Sequence, residues 1–115
     1  MLNRSSSSVK VFYPKFDTRQ VTALVKKGIE PLSALLPLKL VALFGSYARG
    51  NYTVASDIDL LVIYGGKSRP NAYNLVKKTL QIPHLEPHVY SEGEYIGNKE
   101  VVDRMLRDSK VLFRS

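Results

Sequence analysis

The sequence predicts an α/β (α+β) domain with a mixed sheet of four or five strands and helices mainly on one face. Two seven-residue apolar runs, Leu38–Phe44 and Ile58–Tyr64, are typical of strands buried on both sides. Segments with helical spacing alternate with these runs, as expected of a two-layer architecture. The length of 115 residues fits one domain, expected over residues 9–115 after a disordered, serine-rich tail over residues 1–8.

The first helix is predicted from a capping pair. Asp17 and Gln20 have the spacing of a helix N-terminus, and apolar residues then recur at helical intervals as far as Gly28. Pro31 is predicted to start a second short helix, which Pro37 ends because proline cannot continue a helix.

The second half of the chain continues the alternation of helix and strand. Helical periodicity covers residues 70–80, and a third strand is expected over residues 85–90. A further helix is predicted over residues 99–107, and residues 110–114 are predicted to form a short edge strand.

The composition narrows the class of protein. The absence of cysteine excludes disulfides, thiolate metal sites and a cysteine nucleophile. The longest mostly apolar stretch, residues 32–44, is shorter than the roughly 20 residues of a membrane span. With no segment resembling a signal peptide, the expected location is the cytoplasm. A net charge of +7 favours anionic partners such as nucleotides, RNA or an acidic protein, although surplus lysine can equally serve solubility alone.

The most informative segment is residues 44–62, which reads FGSYARGNYTVASDIDLLV. Gly45 and Ser46 form the exit from the first strand. If Ser46 starts a helical turn, free backbone N–H groups and its hydroxyl point to one place, and such a helix N-terminus binds phosphate. Glycine lacks the Cβ that would hold phosphate groups away.

Asp57 and Asp59 are two residues apart, so on a strand both project to one face with Cα atoms about 6.6 Å apart. Carboxylates at this spacing can converge on two metal ions separated by about 3.5–4 Å. Taken alone, an Asp-x-Asp sequence is more often a turn followed by a solvent-facing strand residue.

In combination, these residues resemble the DNA polymerase β-type nucleotidyltransferase superfamily. Its signature is a hydrophobic residue, Gly-Ser, about ten residues, then Asp-hydrophobic-Asp-hydrophobic. The closer resemblance is to the minimal nucleotidyltransferases, whose pattern GSxARG…SDIDLLV corresponds to residues 45–50 and 56–62. The resemblance implies a two-layer nucleotidyltransferase fold in which a hydroxyl attacks the α-phosphorus of a nucleoside triphosphate, by default ATP, and releases pyrophosphate.

The resemblance also implies roles for single residues. Gly45 and Ser46 would hold the β- and γ-phosphates, and two Mg²⁺ ions would be bound by carboxylates. Tyr47 stands where the family often has arginine, so Arg49 is the candidate for a further phosphate contact. The predicted nucleotide-binding residues are Gly45, Ser46, Arg49 and Ser56.

The family usually adds a third acid from a later strand, which binds metal and helps to activate the attacking hydroxyl. Residues 85–91 match that strand and lead into an acidic helix start, so Glu86 is the candidate. Pro87 weakens the pairing of this strand, and the alternative is that Glu86 is an exposed glutamate at a strand start. The predicted catalytic and metal-binding residues are Asp57, Asp59 and Glu86.

Three other features are not assigned chemistry. His84 and His88 would lie about 13 Å apart on a strand, too far to share a metal ion. Residues 66–68 (GKS) imitate the end of a P-loop but lack the glycine five residues before the Gly-Lys pair. A basic stretch could guide RNA, although a solvated helix face is the preferred interpretation. Its residues are Lys67, Arg69, Lys77 and Lys78.

Two functional hypotheses follow. Minimal nucleotidyltransferases resemble the antitoxin half of a gene pair with a HEPN-type ribonuclease, which they silence by adding AMP to a tyrosine. The first hypothesis is therefore a Mg²⁺-dependent, AMP-transferring enzyme that modifies a hydroxyl, with a HEPN-type protein as the implied partner. The alternative is an antitoxin-type binding module that blocks such a partner by contact and keeps only a residual nucleotide site. A basic nucleic-acid binder is a weaker third hypothesis.

Overall fold

The structure is a computed structural model that describes residues 16–115. The predicted tail over residues 1–8, and the first residues of the predicted domain, lie outside the described residues. Helices and strands alternate along the described part of the chain. They are α1 (Thr18–Ser33), β1 (Leu38–Phe44), α2 (Ser46–Arg49), β2 (Ile58–Tyr64), α3 (Ala72–Leu80), β3 (Leu85–Ser91), α4 (Glu92–Gly97), α5 (Lys99–Leu106) and β4 (Lys110–Arg114).

The strands of the described part form one mixed sheet in the order β3-β2-β1-β4. Strand β1 pairs antiparallel with β2 and with β4, while β2 and β3 run parallel. A parallel pair needs a crossover connection, and α3 provides it. The predicted mixed sheet with an edge strand at the end of the chain is confirmed.

The core divides between the two faces of the sheet because side chains alternate along each strand. Leu60 and Val62 of β2 contact the main core, which α1 and α3 cover through residues such as Val25 and Val76. On the opposite face a smaller cluster gathers beneath α5; its buried members are Ala42, Leu61, Ile63 and Val102. The longer helices thus lie on one face, as predicted, and α5 covers part of the other.

Helix α1 begins at the predicted capping pair: the Gln20 backbone N–H donates to Asp17 Oδ1 at 2.8 Å, and Asp17 N–H donates to the Gln20 side chain at 2.9 Å. The predicted break at Gly28 and restart at Pro31 is wrong, since α1 continues through both residues. A Cβ on Gly28 would collide with the side chain of Leu80, so this glycine allows α1 and α3 to approach. Pro31 lies in the last turn of the helix, where it removes one hydrogen bond.

Helix α4 is the acidic helix start that the family resemblance implied after the third strand. Its N-cap Ser91 accepts a hydrogen bond from Glu94 N–H, and Ser91 N–H donates to the Glu94 carboxylate at 2.8 Å. The Ser68 hydroxyl also donates to Glu94, at 2.8 Å. These hydrogen bonds, with that from Ser91 N–H the largest influence, lower the pKa of Glu94. They join the loop after β2 to the end of β3. None of the described helices is long and apolar enough to cross a membrane.

Candidate active site

Asp59 lies near the start of strand β2, on the sheet face that α5 covers further along the strand. Ile58 and Leu60 on either side of it are buried in the main core, so the Asp59 side chain projects to the opposite face. Further along the strand, Leu61 and Ile63 on that same face lie in the cluster that contains Val102 of α5. The Asp59 side chain keeps 29% of its surface exposed. It is therefore partly desolvated but still reachable by a ligand.

The two other predicted acids lie beside Asp59. Glu86 is the register partner of Asp59 in the parallel β2–β3 pair, and Asp57 precedes β2 by one residue; both are exposed. Burial raises the pKa of the Asp59 carboxyl above its ordinary value, His88 opposes that rise, and the charges of Asp57 and Glu86 add to it. Asp57 and Glu86 are thus close enough to Asp59 for their charges to act on it.

The Gly45-Ser46 turn approaches Asp59 from the neighbouring strand. Phe44, the last residue of β1, pairs with Asp59, so the turn leaves the sheet beside this carboxylate. Gly45 has φ +75°, and a Cβ there would collide with Asp59 Oδ2. Only glycine meets both requirements, because other residues rarely adopt positive φ and all of them carry a Cβ.

Helix α2 begins directly after Gly45, whose carbonyl accepts hydrogen bonds from Ala48 and Arg49 N–H, each at 3.1 Å. The N–H groups of Ser46 and Tyr47 therefore have no intrahelical acceptor. This is the local arrangement that the sequence predicted for phosphate binding.

Tyr47 faces away from the acids. Its side chain is buried in the main core, stacks on Tyr52 with ring centroids 4.2 Å apart, and donates a hydrogen bond to the Phe16 carbonyl at 3.2 Å. At this position, where the family often has arginine, the chain thus has a core residue.

The remaining predicted nucleotide-binding residues are Arg49 and Ser56, which both follow the turn in the sequence. Arg49 is exposed at the last position of α2, one turn after Ser46. Ser56 Oγ accepts a hydrogen bond from Thr53 N–H at 2.8 Å and so closes the turn immediately before Asp57. This hydrogen bond holds the backbone turn that leads into Asp57.

The donor set suits Mg²⁺, because this ion prefers oxygen ligands and is commonly held by one or two carboxylates plus substrate phosphates. Asp59 and Glu86 supply such oxygens from adjoining strands, and the lack of a Cβ at Gly45 allows Asp59 Oδ2 to approach the turn. Within residues 16–115, no three histidine or acidic side chains are arranged to hold a metal ion by themselves. The site thus fits an ion that takes part of its coordination from substrate and water.

His88 is the neighbour of Asp59 that sequence analysis excluded as a metal ligand and placed on the same face as Glu86, within reach of a substrate. Its Nε2 lies 3.5 Å from Asp59 Oδ1, and its ring meets Phe44 edge to face with centroids 5.0 Å apart. The signal was available in part, since His88 follows Glu86 by two residues and shares its face. The contact itself depends on the β2–β3 register, which the sequence does not display.

Comparisons with known proteins identify the family to which the chain belongs. The nucleotidyltransferase domain family matches residues 25–112. A candidate protein adenylyltransferase of Methanocaldococcus jannaschii is 38% identical over 80 residues, which cover 66% of this chain and 79% of that protein. A second candidate from the same organism is 36% identical over 90 residues, covering 78% of this chain and 87% of that protein.

Solved structures show the same fold. A candidate nucleotidyltransferase of Sulfolobus solfataricus superposes with a TM-score of 0.58 at 27% identity, over 84% of this chain and 83% of that one. A complex of a tri-AMPylated Shewanella oneidensis HEPN toxin with an MNT antitoxin gives a TM-score of 0.54 at 20% identity, over 82% and 73% of the two chains, and supports the fold alone. Because the family match extends over most of the sequence, the chain belongs to the nucleotidyltransferase domain family and is a nucleotidyltransferase.

Proposed function

We propose that this nucleotidyltransferase transfers AMP from ATP to a hydroxyl group of a partner protein, in the cytoplasm and with Mg²⁺. The observation that carries the proposal is the contact between the Gly45-Ser46 turn and Asp59, where only glycine fits. At this contact, a turn with free backbone N–H groups lies next to a carboxylate, which is a side chain of the kind that binds Mg²⁺. Nucleotidyl transfer needs that adjacency, because the triphosphate and its metal ions bind as one unit.

The nucleotide is held in this proposal by four residues around the turn. Gly45 and Ser46 donate backbone N–H groups to the phosphates, and Arg49 adds a positive charge from the end of α2. Ser56 accepts from Thr53 N–H and contacts the nucleotide through the remaining hydrogen-bonding capacity of its hydroxyl.

Asp57, Asp59 and Glu86 are proposed to hold Mg²⁺. Bound Mg²⁺ supplies charge neutralisation and alignment for in-line displacement. The acceptor hydroxyl attacks the α-phosphorus, a new phosphorus–oxygen bond forms, and the bond to the β-phosphate oxygen breaks to release pyrophosphate. In this proposal Glu86, which is exposed, takes the proton that the hydroxyl loses.

A protein acceptor is supported by the relatives. Two similar proteins are named as candidate protein adenylyltransferases, and one structural neighbour is an MNT antitoxin bound to an AMPylated HEPN toxin. The acceptor that we propose is a tyrosine of a HEPN-type partner. The net charge of +7 suits an acidic partner surface and leaves RNA as a weaker alternative.

Co-expression with the product of an adjacent gene tests the proposal. We expect a stable complex and, with ATP, a mass increase of the partner by about 329 Da for each AMP added, the group left after pyrophosphate departs. Intact-mass spectrometry measures this change, and Asp57→Asn serves as the inactive control.

The second candidate is contact-blocking by an antitoxin-type module, which the toxin–antitoxin neighbours favour. A tight complex with no mass increase would support it against the transferase. Absence of both complex and modification would refute the protein partner and direct the search to a small-molecule or RNA acceptor.

A further inference from the structure

His88 lies within the candidate site although no role has been assigned to it. It sits on β3 two residues after Glu86, and its Nε2 lies 3.5 Å from Asp59 Oδ1 across the β2–β3 pair. About a third of the side chain is exposed, but Nε2 itself is buried. The polar end of the ring thus points inward, toward the carboxylate.

The buried Nε2 has no hydrogen-bond partner of ordinary length among the described residues. A buried donor left unpaired costs about 1–3 kcal/mol, so such atoms are uncommon in folded proteins and usually have a functional reason. The carboxylate of Asp59 is the nearby acceptor, with Oδ1 3.5 Å from Nε2. Both the neutral Nε2–H tautomer and the charged ring offer a donor at this atom.

The two oxygens of Asp59 have different neighbours. Oδ1 faces His88, and Oδ2 lies against Gly45, where it would collide with any Cβ. A hydrogen bond from His88 Nε2 to Oδ1 would therefore fix the rotation of the carboxylate and keep Oδ2 directed to the turn. The edge-to-face contact with Phe44 restrains the imidazole in the same orientation.

We propose that His88 is a positioning residue for metal binding: its Nε2–H holds Asp59 Oδ1, so that Oδ2 is presented to the ion beside the Gly45-Ser46 turn. The inference rests on the proposed function, because it assumes that Asp59 binds Mg²⁺. Hydrogen-bond partners of metal-binding side chains typically contribute 10- to 100-fold to metal affinity or activity, which sets the scale of the expected effect at about that range.

Binding of Mn²⁺, a spectroscopically visible substitute for Mg²⁺, tests the role of His88 without turnover. The nucleotide-free full-length chain is titrated with Mn²⁺ alone, and free Mn²⁺ is counted by electron paramagnetic resonance. We expect His88→Phe, which keeps a ring but removes the donor, to bind Mn²⁺ about 10- to 100-fold more weakly. His88→Gln places an N–H at a similar reach and should restore most of the affinity. Affinity equal to wild type in His88→Phe would overturn the proposal.

The matched control is the chain's other histidine. His84 precedes β3, is exposed and has φ +63°, so His84→Asn retains a residue that tolerates this backbone. This variant should bind Mn²⁺ like wild type. If His88→Phe does not fold, His88→Met replaces it as the donor-free variant, with the same expectation against His88→Gln.

Two further outcomes are informative. Coupling of an imidazole nitrogen to bound Mn²⁺ in spin-echo spectra of the wild type would show that His88 is a ligand, and would overturn a positioning role. If the wild type binds no Mn²⁺ either alone or together with a non-hydrolysable ATP analogue, the proposed metal site fails together with this inference. If the wild type binds Mn²⁺ and His88→Phe binds it equally, the metal site stands and only the role of His88 is lost.

Discussion

At the scale of single residues, the surroundings of Asp59 lower the stability of the ligand-free protein but favour the binding of a cation. It is partly buried and lies near two other acids, so its charged form is disfavoured in the protein without ligands. The same surroundings favour a cation, because a positive charge would relieve both the desolvation and the repulsion. A charged side chain that lowers the stability of the ligand-free protein but favours ligand binding is typical of an active site.

We predict that Asp59→Asn abolishes transfer while the apo protein stays as stable as wild type or becomes more stable. The raised pKa of Asp59 means that the folded state holds this proton more tightly than the unfolded chain does. The free energy of unfolding therefore falls as pH rises from the ordinary pKa of aspartate through the raised pKa. Asparagine removes this loss, so the stability advantage of the variant should be largest near neutral pH in thermal melts.

Asp57→Asn provides the comparison for Asp59. Asp57 is exposed, so its replacement should also stop transfer but should change stability and its pH dependence less. A large loss of stability in both variants would show that these acids are structural, against the proposed metal site.

The collision at Gly45 gives a second residue-scale prediction. Gly45→Ala should destabilise the fold and weaken nucleotide binding, since it combines positive φ with a contact against Asp59. Gly50→Ala provides a comparison: Gly50 has φ +83° and ψ 9°, in the left-handed helical region, and no atom beyond its chain neighbours lies within 4 Å of the place a Cβ would take, so it reports that backbone cost, about 1–2 kcal/mol. Gly45 has φ +75° and ψ −154°, a conformation almost restricted to glycine, so its own backbone cost is larger.

A double-mutant cycle separates the contact with Asp59 from the backbone cost. The destabilisation caused by Gly45→Ala should shrink in an Asp59→Ala background, which removes the colliding carboxylate. The same destabilisation in both backgrounds, measured by chemical denaturation, would contradict a close approach of the turn to Asp59.

At the scale of elements, the packing of α1 on α3 depends on Gly28. Alanine should improve the intrinsic helix propensity of α1 by about 1 kcal/mol, whereas crowding in a packed interface costs about 1–3 kcal/mol. A Cβ would meet only the end of the Leu80 side chain, which is partly exposed, so we predict that Gly28→Ala stabilises the fold by less than helix propensity alone would give. In a Leu80→Ala background the same substitution should give the full increase in the free energy of unfolding, and urea denaturation of the four proteins measures the difference. Equal stabilisation in both backgrounds would contradict the close helix contact.

The sequence predicted those elements whose causes are local. Strands β1 and β2 have the predicted bounds because each is an unbroken apolar run closed by turn residues, and α1 begins at its predicted capping pair. The end of α1 was mispredicted because Gly28 lies inside the helix, where it packs against Leu80 of α3, a residue distant in sequence. Local patterns report caps and periodicity, whereas the reason for this glycine lies in tertiary contact.

The same distinction applies to the site. The motif indicated Gly45 and Asp59 separately, and the resemblance implied that both residues belong to one nucleotide-binding site. Their contact follows from the antiparallel register of β1 and β2, and the approach of His88 follows from the parallel register of β2 and β3. Register is set by the whole sheet, so neither distance could be obtained from spacing along the chain.

At the scale of the whole molecule, a ligand that binds only the folded state raises its stability. We predict that MgATP increases the melting temperature, since ligand at 100 times its dissociation constant adds about 2.7 kcal/mol to the free energy of unfolding. For a domain of this size each kcal/mol shifts the melting temperature by about 4–8 °C. Differential scanning fluorimetry with MgATP, with ATP plus EDTA and with Mg²⁺ alone separates the contributions. An EDTA-insensitive shift would contradict a metal-bridged nucleotide.

The pairing of Phe44 with Asp59 has a further consequence. The Phe44–Asp59 pair of the β1–β2 sheet connects the proposed phosphate-binding turn to the proposed metal-binding acid. The nucleotide and the metal ion would therefore bind to neighbouring residues of the same strand pair. Thermodynamic linkage requires their cooperativity to be symmetric: whatever factor the metal adds to nucleotide affinity, the nucleotide adds to metal affinity. In a cell where free Mg²⁺ is nearly constant, occupancy of the metal site would then follow the supply of nucleotide.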